Sequence, residues 1–118
     1  MSVATGRFSP EDRLRHAREF RRITRGGRRV ASRAYVVLML PGREGGASRL
    51  GLTVSRKVGN AVVRNRVKRR IREWFRCARA SFPGSLDIVV IARRQAAELE
   101  FRCSCRQLSR LIAEGSAR

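Results

Sequence analysis

Ser55-Arg56-Lys57-Val58-Gly59-Asn60-Ala61-Val62-Val63-Arg64-Asn65-Arg66-Val67-Lys68-Arg69-Arg70-Ile71-Arg72 lays dense positive charge onto a helical repeat of apolar residues. At 100° per residue, Val63, Val67, Ile71, Trp74, Phe75 and Ala78 share an arc of roughly 120°, the stripe that a helix packed on a core requires. Asn65, Arg69, Arg72 and Arg76 fall opposite, flanked by Arg66 and Lys68. Cations one turn apart, roughly 5 to 6 Å, can follow successive phosphates. Glu73 is the one acid between Arg56 and Ser85, so self-repulsion along this helix calls for an external polyanion.

Outward from that helix, Val58-Gly59-Asn60 reads as its entry loop and Pro83-Gly84 as a stop beyond its end near Ala80. The alternation of Leu50, Leu52 and Val54 before it predicts a strand with one covered face. Asp87-Ile88-Val89-Val90-Ile91-Ala92 after it predicts a short central strand. If those two strands are parallel, the basic helix is their crossover, for which the general preference is right-handed. Farther upstream, Ser9-Pro10-Glu11-Asp12 carries helix-start signals. Leu14, Ala17, Phe20 and Ile23 or Thr24 then keep helical spacing until Gly26-Gly27. Arg29-Val30-Ala31 and the run from Ala34 to Leu40 read as strands, with Pro41-Gly42 and Gly45-Gly46 in a following loop. A last helix is expected over about residues 100–114, with Phe101, Cys105, Leu108 and Ile112 in register and Gly115 ending it. The expected fold is α+β, a two-layer sandwich with a small four-stranded sheet and three helices, as one domain over residues 1–118 with loose ends at 1–8 and 115–118.

Composition narrows the function. In 118 residues, 28 Lys+Arg against 9 Asp+Glu give a formal charge of +19, so the partner is anionic. All those cations but Lys57 and Lys68 are Arg, suited to bidentate phosphate contacts and base stacking. GC-rich codon usage can account for arginine over lysine, but not for the net charge. No long apolar helix, signal peptide or lipidation motif points to a membrane, which favours nucleic acid. Three cysteines, Cys77, Cys103 and Cys105, without a secretory signal read as reduced thiols of a cytoplasmic protein. Zinc is disfavoured: on a helix Cys103 and Cys105 point about 200° apart, and the single His16 is remote. The nine acids are scattered rather than clustered as a two-metal nuclease needs, and His16 alone is a poor candidate base. Trp74, Phe75, Phe82 and Phe101 read as core.

The block from Lys57 to Arg72, centred on Arg64-Asn65-Arg66, closely resembles the signature of the bacterial ribonuclease P protein subunit. The resemblance extends from Arg13-Leu14 and Arg18-Glu19-Phe20 through Arg33-Ala34-Tyr35 and the strands at 50–54 and 87–92 to the last helix. It implies a fold similar to the second domain of ribosomal protein S5, with a left-handed β-α-β crossover in place of the general preference. It further implies a non-catalytic protein, likewise expected from the scattered acids, that joins a catalytic RNA in removing the 5′ leader of precursor tRNA. Mg²⁺ in the holoenzyme would be held mainly by the RNA, with no cofactor or metal site in the protein, which is expected to be monomeric, one per RNA. By the same resemblance Arg56, Lys57, Asn60, Arg64, Asn65, Arg66, Lys68, Arg69 and Arg72 form the RNA-binding surface, although Asn60 and Asn65 could instead cap the helix or hold the loop. Phe20 and Tyr35 match aromatic positions of a cleft for the single-stranded leader, where stacking is sequence-tolerant; core packing rivals that role for Phe20. Thr24, one turn on, stands where many members have a second aromatic. The alternative from another class is a ribosomal or ribosome-assembly protein that binds rRNA through the same helix.

Overall fold

A computed structural model of the protein describes residues 13–14, 17–42 and 46–116. The start signals at Ser9-Pro10 and the lone His16 lie outside the described residues. Helix α1 (Ala17–Gly26) leads into strands β1 (Arg28–Ala31), β2 (Tyr35–Pro41) and β3 (Arg49–Val54). The basic helix α2 (Ala61–Ala78) follows, then β4 (Leu86–Ala92) and α3 (Phe101–Ser116), with single 3₁₀ turns after α2 and after β4. The sheet order is β1-β2-β4-β3, with β3 and β4 parallel and the other pairs antiparallel. Helix α2 is therefore the crossover between two adjacent parallel strands, as the apolar runs on either side of it imply.

Strand alternation sorts the side chains onto two covered faces. On one face Tyr35, Val37 and Met39 line up with Ile88, Val90 and Ala92 and with Leu50 and Val54, under α2 and α3. Val67, Ile71, Trp74 and Phe75 of α2 complete this core, as their spacing requires. On the other face Leu38 and Val89 pack with Leu14 and Ile23, and Phe20 leans on them from α1. The central strands β2 and β4 are thus buried on both faces, whereas the edge strand β3 alternates only toward its end, where Thr53 is exposed between half-buried Leu52 and buried Val54.

Two expectations change. Phe101 is 40% exposed rather than core, because it opens α3 one turn ahead of Ser104, the first buried residue of that helix. The helix also runs through Gly115 instead of stopping there, so residues 115 and 116 are not a loose end. Gly115 is buried against the Met39 side chain, where a Cβ would collide with the Met39 methyl. At this position glycine serves close packing within a helix.

Candidate nucleic-acid interface

The loop before α2 is a pair of turns, with Val58 N–H donating to the Ser55 carbonyl (3.1 Å) and Gly59 N–H to that of Arg56 (3.2 Å). Val58 is buried, which anchors the loop and leaves Arg56 and Lys57 exposed at its outer edge. Asn60 caps α2: its Oδ1 accepts from Val63 N–H at 3.0 Å. Of its two readings, that of a cap is the one its geometry satisfies, and it supplies one of the donors' partners that a helix start lacks.

From this cap, α2 distributes its cations by helical spacing. Arg64, Lys68 and Arg72 recur every four residues on the flank toward β3, and Arg64 Nε donates to the Gly59 carbonyl (3.2 Å). Asn65 and Arg69 are fully outward. Arg66 and Arg70 lie on the α3 flank; Arg70 donates to the Leu99 carbonyl (2.7 Å), which fixes it as a strut between elements. Glu73 pairs with Arg76 on its own helix, which holds the Glu73 carboxyl below its ordinary range.

On the β3 flank, Lys68 and Arg72 meet Phe20 across the sheet edge. A groove of about 220 Å³ is lined by Arg13, Leu14, Phe20, Leu50, Gly51, Leu52, Lys68 and Arg72. The Phe20 ring lies over Gly51, where an added Cβ would stand 2.6 Å from the ring tip; a bare backbone lets the aromatic seat on the strand. Burial, then the neighbouring Arg13 guanidinium, lowers the pKa of Arg72. The groove thus gathers positive charge at some cost, which a bound anion would offset. It couples one aromatic edge to cations, the components of a single-strand site.

Tyr35 does not join this groove. Its ring is 1% exposed on the opposite face of the sheet, under α3, where its hydroxyl donates to Ser104 Oγ at 2.8 Å. The register of β2 turns Tyr35 toward the α2–α3 layer together with Val37 and Met39. Thr24, also on α1, is exposed and donates to the Phe20 carbonyl (2.7 Å), so it extends no aromatic surface.

Sequence reading missed what holds α1 in place. Asp87, 1% exposed at the start of β4, accepts from Arg49 Nε (3.1 Å) and Nη2 (2.8 Å) and from Arg22 Nη2 (2.7 Å). Arg49 also donates to Glu19 (2.8 Å). Glu19 and Arg22 belong to the helix that carries Phe20, so this network sets the wall of the groove. Gly51 was the legible hint, since an isolated glycine in a strand marks a close approach. Among the described residues, no three His, Cys, Asp or Glu side chains come together as a metal ion would need, and no helix is long and apolar enough to cross a membrane.

The family model described as Ribonuclease P matches residues 8–115. The chain belongs to the ribonuclease P protein family. The ribonuclease P protein component of Desulforapulum autotrophicum is 42% identical over 95 residues, covering 80% of each chain. That of Halalkalibacterium halodurans is 43% identical over 91 residues, 77% of this chain and 76% of the relative. Among solved structures, the RNase P protein of Staphylococcus aureus matches at a TM-score of 0.79 and 36% identity, covering 89% of this chain and 95% of the other. The Thermotoga maritima protein matches at 0.76 and 36%, covering 86% and 96%. The three helices and four-stranded mixed sheet are consistent with the α+β fold of these ribonuclease P proteins, and family membership assigns the chain a role in ribonuclease P and tRNA processing.

Proposed function

We propose that this chain is the RNA-binding subunit of ribonuclease P, which holds the catalytic RNA with α2 and the 5′ leader of precursor tRNA in the Phe20 groove. The observation that carries the reading is the groove, where one half-buried aromatic ring faces Lys68 and Arg72 from the signature helix. A single-stranded leader stacks a base on Phe20 while its phosphates take the cations of α2. Arg56, Lys57, Arg64, Asn65, Arg66 and Arg69 meet the catalytic RNA.

The protein's contribution is positioning and charge neutralisation. Two RNAs that must approach closely repel through their phosphates; arginines between them lower that repulsion and release counterions. Mg²⁺ held by the catalytic RNA would supply the hydrolytic chemistry. Among the described residues, Asp87 and Glu19 are committed to Arg22 and Arg49. One protein per catalytic RNA, acting in the cytoplasm, completes the reading.

The test is 5′-leader cleavage of a precursor tRNA at low Mg²⁺ by a bacterial ribonuclease P RNA alone, the protein alone and the mixture. A variant carrying Arg64→Ala, Arg66→Ala and Lys68→Ala runs alongside. Cleavage only in the mixture, weakened in the variant, is the expected result. Cleavage by protein alone means a nuclease, and a wild-type protein that gives no stimulation means a ribosomal or other rRNA-binding role.

A further inference from the structure

The second basic surface of this molecule is on α3. Arg102, Arg106 and Arg110 recur every four residues, about 6 Å apart along the axis. All three are exposed. They point directly away from the buried line of Ser104, Leu108, Leu111 and Gly115. The acid nearest this row is Glu114, whose carboxylate stands 3.7 Å from Arg110 with both side chains more than half exposed; such a contact contributes little. Arg102 and Arg106 have no ion pair among the described residues.

Helix α3 lies beside α2 on the same face of the sheet. Each is joined to β4, α2 leading into it and α3 leading out, so the two run in the same sense. The contacts agree: Arg70 reaches Leu99 just before α3, and Trp74 Nε1–H donates to Ser109 Oγ at 2.9 Å. Farther along, Ala78 shares a surface pocket with Ser109 and Ile112. The outward row of α3 therefore begins about level with Arg69 and runs alongside the later turns of α2, where Arg76 is paired with Glu73, while Asn65 and Arg66 lie about a turn ahead of it; the two helices stand roughly 8 to 10 Å apart.

We infer that α2 and α3 together form one face for double-helical RNA, with the α3 arginines on the phosphates of one strand and α2 on those of the other, across the wide, shallow minor groove. Two rows of cations offset along their axes, Arg66 and Arg69 on α2 and Arg102, Arg106 and Arg110 on α3, can reach two phosphate strands, whereas a single strand occupies one row. An A-form minor groove is open enough for such contacts, and recognition there is by shape and backbone. This surface rests on the RNA-binding reading and is separate from the Phe20 groove, which lies on the other flank of α2.

The experiment compares the full chain with a variant carrying Arg102→Gln, Arg106→Gln and Arg110→Gln. A charge-matched control carries Arg18→Gln, Arg21→Gln and Arg25→Gln on exposed positions of α1. Thermal melts establish that all three fold. Binding to an RNA hairpin duplex and to a single-stranded RNA of equal length is followed by fluorescence anisotropy over a salt series. The α3 variant is expected to lose about tenfold or more in duplex affinity, and about 2.7 units of the log–log salt slope, about 0.9 for each of the three phosphate contacts removed. Its single-strand affinity falls less than about threefold, and the α1 control stays near wild type for the duplex. Equal losses on both RNAs, or equal losses in the α1 control, would reduce the effect to net charge and overturn the inference. So would an unchanged duplex slope. A wild-type chain that binds neither RNA would overturn the RNA-binding reading along with it.

Discussion

Asp87 and Tyr35 are buried polar residues whose partners come from distant parts of the chain. Two arginines compensate the Asp87 carboxylate, and Arg49 spends three of its donors on Asp87 and Glu19. Replacing Asp87 by Asn leaves Arg49, with its side chain 14% exposed, facing a neutral partner. Because breaking a buried pair from one side costs about 3 kcal/mol or more, Asp87→Asn is expected to destabilise by about that amount in urea unfolding; a loss below about 1 kcal/mol would show the network to be solvated. Tyr35 is a buried acid on the opposite face of the sheet. Burial raises its pKa above the ordinary value of about 10, only partly countered by the Ser104 hydrogen bond and the Arg70 charge. A raised folded pKa means that the stabilisation is complete below pH about 10 and is lost as pH climbs through the folded value. Tyr35→Phe should therefore cost about 1 kcal/mol at neutral pH by orphaning Ser104, yet flatten the alkaline fall in stability. An alkaline limb unchanged in Tyr35→Phe would assign that fall to other groups.

Helix α1 and strand β3 meet through the seat of Phe20 on Gly51, and this pairing of elements shapes the groove. A methyl at position 51 would stand 2.6 to 3.2 Å from the Phe20 ring, so Gly51→Ala is expected to lift the ring off the strand. The backbone of β3, hydrogen-bonded in the ladder to β4 and to Leu14, has no such freedom. The expected outcome is a fold retained within about 1 to 2 kcal/mol and a specific loss for substrates with a leader. The ratio of affinities for precursor and mature tRNA, measured with the holoenzyme, reports it; a ratio equal to wild type would remove Phe20 from leader binding. At the start of α2, Asn60→Ala should cost about 1 kcal/mol of stability through the lost cap. Its effect on RNA affinity should be no greater than fraying of the first turn gives, whereas a direct contact would appear as a further loss in the salt slope.

The whole molecule carries +19 on 118 residues; its best-buried ion pairs converge on Asp87 and Glu19, while α2 and α3 carry the more exposed Glu73–Arg76 and Arg110–Glu114 pairs. Self-repulsion on that scale is screened by salt, since the Debye length falls from about 30 Å at 0.01 M to about 10 Å at 0.1 M. The melting temperature of the RNA-free protein is expected to rise by several degrees over that range, the equivalent of about 1 kcal/mol in a domain of this size. A flat or falling curve would mean that the cations are locally compensated. Much of this molecule was legible in the chain itself. The apolar arc of α2 and the order helix, three strands, helix, strand, helix follow from local periodicity, and the cations of α2 follow from the same 100° spacing. Phe101 was misread because helical spacing gives a direction around the axis but not whether the first turn still overlies the sheet. Tyr35 was misassigned for a related reason: alternation tells which residues of β2 share a face, not whether α1 or α3 covers it. The Asp87 network needed the parallel register that sets Arg49 beside Asp87 and the docking of α1 that adds Glu19 and Arg22. The sequence by itself determined the elements, the charge and the family signature, because these are written in neighbours a few residues apart. Only the tertiary structure decided which side chains reach the groove and which support it, because pairings between residues some 30 to 65 positions apart depend on packing that no local pattern encodes.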